Sequence, residues 1–152
     1  MSVTPSTVRR TLCSGTYAGL CMSAAIGLIG KVTIGTTAPP LNAISHILWG
    51  RKAAHPNNWS MKYTGYGLIL NQLACLFWAG CYEALIDKDS RPGFSKAVAV
   101  SAVAYLTDYH LVPRRFTPGF EFVFPRRMFP YLYAALAISL VAGVRMRRSL
   151  ER

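Results

Sequence analysis

Polar side chains set inside apolar segments are the first candidates for chemistry in this chain of 152 residues. Asn71 and Gln72 sit together in a long uncharged stretch, and Asp108 and His110 lie close to the end of another, in "TDYH". Glu121 follows shortly after, while Asn42 and His46 in "NAISH" are four residues apart and so share one helical face. Three kinds of chemistry fit these residue types. His46, Asp108, His110 and Glu121 are nitrogen and oxygen donors of the sort that ligate metals. No H-E-x-x-H or C-x-x-C fixes their spacing, and neither a metal nor a cofactor is expected. Asp108 with Asn71 and Gln72 would make a proton or substrate path, because ionisable groups at membrane depth are expensive to place there. The third use is structural, with Asp108 paired to Arg114 or Arg115 and the Asn42 and His46 side chains satisfying local backbone groups.

These residues need elements to hold them, and composition says what kind. Apolar residues make up 52% of the chain and charged ones 15%, against about 25% charged in soluble domains. The charges are also segregated: none occurs from Thr11 to Gly30, from Tyr63 to Tyr82, from Ala97 to Thr107 or from Met128 to Val144. About 20 mainly apolar residues cross a hydrocarbon layer of ~30 Å. The reading is an all-α integral membrane bundle forming a single transmembrane domain over residues 1–152. Its four spans fall at about 11–32, 63–85, 95–112 and 128–144, with an uncleaved first span and a connector "IDKDSRPGF" between the second and third. The segment at about 40–50, "PLNAISHILWG", is too short to cross and reads as one re-entrant or interfacial helix, with Pro39-Pro40 ending the first span. By connectivity, Asn42, His46, Asn71, Asp108 and His110 then lie toward one side of the membrane and can converge on one polar pocket.

The first span carries a small residue at every fourth position: Gly15, Gly19, Ser23 and Gly27. In lipid no hydrophobic force draws helices together, so such stripes are read as packing faces that let backbones approach. The second span has a comparable line through Gly67, Asn71, Cys75, Ala79 and Glu83, and the fourth has Ala135, Ser139 and Gly143. A tight bundle, or a bundle with a self-association face, follows. Cys13, Cys21, Cys75 and Cys81 fall within the first two spans and read as small packing residues.

The net charge is +11. The basic residues sit at segment ends, where anionic lipid headgroups attract them by about 1 kcal/mol each. The expected partners are therefore the bilayer's anionic headgroups and a second copy or another membrane protein, with no nucleic acid. Nine Lys/Arg on the side of the termini face eight on the other, which gives no orientation under the positive-inside rule. Pro118-Gly119 is placed as a type II turn requires.

The stretches "PLNAISHILWG", "FWAGCYE" and "TDYHLVPRRFTPGFE" resemble those of a family of small, uncharacterised four-span bacterial inner-membrane proteins. The resemblance implies a multi-pass inner-membrane location and brings no activity with it. The leading expectation is a structural or accessory membrane protein. The alternative is a small oligomeric transporter or channel using Asp108 and Asn71, which needs a water-accessible pocket reaching the midplane from Asn71, where an accessory protein would show a closed bundle. An enzyme, needing His46 and His110 within reach of one another, comes third.

Overall fold

The computed structural model describes residues 5–86 and 93–152, and these are helical with no strand among them. Six α-helices follow in order: α1 (Pro5–Ile34), α2 (Ala38–Ile44), α3 (His46–Trp49), α4 (Tyr66–Leu85), α5 (Phe94–Leu106) and α6 (Phe129–Leu150). A π-helical turn, Met61–Gly65, leads into α4, and another, Thr107–Leu111, extends α5. Three segments are long and apolar enough to cross a membrane: Ser6–Ile34, Met61–Leu85 and Arg126–Leu150. The span expected at 95–112 is covered by α5 and its π turn, which are not among these three. The connector "IDKDSRPGF" lies largely outside the described residues.

α1 is the centre of the bundle, packed against α4 on one side and α6 on the other, with α5 against α6 and closing onto α4. The stripe explains why α1 takes that place. A carbon added at Gly15 would sit 2.9 Å from Leu76 Cα, so only hydrogen fits there. At Gly19 the same carbon would meet the Gln72 carboxamide. On the opposite side, Gly143 of α6 lies against the Ser14 carbonyl. The buried residues of α4 are Gly67, Asn71, Cys75, Ala79, Tyr82 and Glu83, the line at spacing four with one neighbour added. Large apolar side chains point the other way, among them Leu20, Leu28, Ile69, Leu73, Phe77 and Ile138. An apolar girdle of that size belongs in lipid, because soluble monomers rarely expose one.

Three boundaries differ from the sequence reading. α1 runs to Ile34, and Pro39 and Pro40 do not end it; they occupy the first turn of α2, where a missing N–H costs nothing. The segment at 40–50 is two short helices, α2 and α3, joined at Ser45 and not one helix. All of α2 is buried, laid across α1 and α4 at one end of the bundle. α6 also continues to Leu150, so most of the basic tail is helical.

At the far end, charge replaces small residues as the fastener. Glu83 Oε2 accepts from Arg10 Nη2 at 2.7 Å, and Glu83 Oε1 accepts from Arg147 Nε at 3.0 Å. Arg147 also reaches Glu151 on its own helix at 2.5 Å. One carboxylate therefore ties α1, α4 and α6 together.

Candidate functional site

A half-open cavity of about 140 Å³, with Ala74 and Phe116 exposed at its mouth, lies between α1, α4 and α6, walled at one end by α2, α3 and the 113–120 connector. α4 contributes Leu70, Asn71, Ala74, Cys75 and Trp78; α6 contributes Leu132, Tyr133 and Leu136. Met22 of α1 and Phe116, Pro118 and Phe120 of the connector complete most of the wall, and Asp108 supplies the charge. This size holds a benzene-sized molecule. Apolar walls with few polar groups are the usual makeup of a small-molecule site.

Gly119 sets the connector's shape. It adopts φ +81° and ψ 3°, the third-position geometry of a type II turn, and so follows Pro118 as the sequence pattern requires. A side-chain carbon there would also stand 2.5 Å from the Ala43 carbonyl oxygen and 2.8 Å from His46 Nδ1. Gly119→Ala is therefore expected to cost about 1–3 kcal/mol and to loosen Phe120 from the cavity wall. Thermal unfolding in detergent checks this, and an unchanged midpoint would rule out the tight approach.

The polar groups of the cavity are held on opposite walls. Asn71 donates both amide hydrogens to α1, to Ser23 Oγ at 2.9 Å and to the Gly19 carbonyl at 3.3 Å. Its carbonyl oxygen is left without a donor among the described residues, although the residue is only 7% exposed. Gln72, one position on, donates to the Gly15 carbonyl at 3.0 Å. Asp108 sits in the π turn that extends α5, and its Oδ2 accepts the Tyr133 hydroxyl at 2.7 Å. It forms no ion pair with any described residue, Arg114 and Arg115 included. Tyrosines flank it: Tyr105 meets Tyr133 edge to face at 5.3 Å, and Tyr109 stacks on Phe129 at 4.5 Å. Glu121 takes the Thr117 hydroxyl on Oε1, while its Oε2 and the Tyr109 hydroxyl are buried without a hydrogen bond.

The five residues Asn42, His46, Asn71, Asp108 and His110 thus do not form one cluster. Asn71 and Asp108 share the cavity. Asn42 is fully buried but spent on backbone, donating to the Pro56 and Asn58 carbonyls and accepting from Thr64. His46 lies between the carbonyls of Ala43, at 3.0 Å, and Arg114, at 3.3 Å, so it fastens α3 to the connector. His110 is exposed and packs its ring on Tyr105 at 5.5 Å. No group of three or more His, Cys, Asp or Glu able to hold a metal occurs among the described residues.

Sequence reasoning missed Tyr133 as the partner of Asp108, and Trp78 and Phe120 as cavity walls. The only available signal was Tyr133 at the start of the last span, on the same membrane side as Asp108. It also placed Glu83 in the packing line of the second span, with no ion partner. Three spans each carry a charge one or two turns from the same end (Arg10, Glu83 and Arg147), and that coincidence was the missed sign of an ion cluster. Comparison of this chain with protein-family models, curated proteins and solved structures gives no match, so its function is argued from the geometry alone.

Proposed function

We propose that this chain is a four-span bacterial inner-membrane protein that binds a small ligand inside its helical bundle, as a carrier or channel does. The observation that carries the reading is the cavity shared by Asn71 and Asp108. α5 with its π turn is the fourth crossing. Residues 94–111 extend about 27 Å at 1.5 Å per residue, close to the hydrocarbon thickness, and Lys96 at one end reaches the Leu85 carbonyl at 2.6 Å. Both termini then share one side. The exposed Arg114, Arg115, Arg126 and Arg127 lie at the other, placed to meet anionic headgroups.

An accessory role in a larger membrane complex, or in a homo-oligomer, is the second reading. A lateral groove between α5 and α6, lined by Phe94, Ile138, Val141, Ala142, Arg145, Met146 and Ser149, favours it. The Gly15/Gly19 face does not, because α4 already occupies it.

Trp78 reports on the cavity directly. With Trp49→Phe and Trp59→Phe in place, cyclohexanol, which is close to benzene in size and carries one hydroxyl, is titrated into the protein in detergent. A saturable shift in Trp78 emission is expected, and Ala74→Leu, which adds carbon to the wall, should abolish it. A linear, unsaturated change that is identical in Ala74→Leu would mean partitioning into detergent only, and would leave the accessory reading.

A further inference from the structure

We propose that the ligand of this cavity is a small organic ammonium ion, with Asp108 as its counter-ion. The inference rests on the cavity reading above and names the ligand's chemical class. Four described acidic residues divide into two kinds. Glu83 and Glu151 are paired with arginines at one end of the bundle. Asp108 and Glu121 have no basic partner among the described residues, in a chain carrying 17 Lys and Arg. With basic residues so plentiful, an unpaired half-buried carboxylate facing a cavity is a vacancy for a cation brought from outside. Burying a charge is costly unless it is paired and hydrogen-bonded, and Tyr133 supplies only one hydrogen bond to one oxygen.

The remaining walls fit the same ligand. Trp78, Phe116, Phe120 and Tyr133 line the cavity, and aromatic faces attract ammonium groups, most strongly where water is excluded. The Asn71 carbonyl oxygen, which accepts no hydrogen bond from the described residues, provides an acceptor for an N–H of the ligand. A hydroxyl ligand could use that oxygen too, but it would leave Asp108 without a counter-charge. An anionic ligand would meet Asp108 with no arginine among the lining residues to offset it. The volume of about 140 Å³ sets the size at a benzene-sized body. A primary ammonium on a six-membered ring matches all three demands.

Cyclohexylammonium and cyclohexanol share one carbon frame and differ in charge, so the pair isolates the claim. In the single-Trp78 protein, cyclohexylammonium is expected to bind at least about tenfold tighter than cyclohexanol. Asp108→Asn should bring the affinities for the two probes together, and Asp108→Glu should restore much of the difference. The wild-type comparison stands even where a variant folds poorly. Equal or tighter binding of cyclohexanol by the wild type would overturn the ammonium inference and leave the cavity reading intact. A preference that persists undiminished in folded Asp108→Asn would overturn it as well, since the charge would then be read elsewhere. Saturable binding of neither probe would remove the cavity reading and this inference together.

Discussion

Glu83→Ala is expected to destabilise the bundle by about 3 kcal/mol, at the lower end of the 3–5 kcal/mol that follows when a buried ion pair loses one partner. The Glu83 side chain is 1% exposed and that of Arg147 5%. Removing the carboxylate strands a guanidinium away from water, and the cost of stranding it exceeds the net worth of the pair. Glu151 holds one arm of Arg147 and tempers the loss. Arg10, less deeply buried, can turn outward. A second substitution, Arg147→Met, should return part of the lost stability in the double variant, because it removes the stranded guanidinium while the space left by the Glu83 side chain stays unfilled. Unfolding in detergent followed by circular dichroism measures both. If Glu83→Ala unfolds with the wild type, the cluster is ornamental and the three helices are fastened elsewhere.

Gly143→Ala should cost about 1–3 kcal/mol, the range for overpacking a well-filled interior, although it adds a single carbon. That carbon would overlap the Ser14 carbonyl, a backbone atom that can yield only if α1 shifts. Moving α1 disturbs both of its interfaces, since the Gly15 and Gly19 carbonyls accept from Gln72 and Asn71 on its other side. Gly27→Ala is the control. It belongs to the α1 stripe of Gly15 and Gly19, yet its added carbon would find Thr37 Cβ at 3.8 Å, an ordinary contact. Its stability should match the wild type or exceed it by up to about 1 kcal/mol, since alanine is the better helix former. Equal effects at the two glycines would mean that close approach at Gly143 does not set the cost, because helix propensity favours alanine at both.

That contrast also marks how far the sequence could be read. The spacing of Gly15 and Gly19 announced a face, and the line Gly67–Glu83 announced its counterpart on α4, because in lipid small residues are the main local signal of contact. Periodicity states which residues share a face but not which helix will cover it. A dimer face and an internal one are therefore spelled alike. The short segment after α1 was legible as a helix too short to cross. Its break at Ser45 was not, because no glycine or proline marks it, and the bond from Ser45 to the Asn42 carbonyl appears only once the chain is folded. Asn42 and His46, four apart on paper, are separated by that break and turn to different partners. Asp108 was visible as a charge near membrane depth. Its partner was not, since Tyr133 stands on another helix and sequence offers nothing to join them. Tyr133 is one of many aromatics at that end, and the headgroup layer accounts for aromatics there without any site.

The most direct test of a ligand inside the bundle is the mass of the protein as its own membrane leaves it. Native mass spectrometry of the chain released from that membrane should show, beside the bare protein, a species heavier by one small molecule that fits the cavity. The Ala74→Leu protein, prepared identically, should lack it. Two identical spectra, bare or carrying the same phospholipid adducts, would contradict the account.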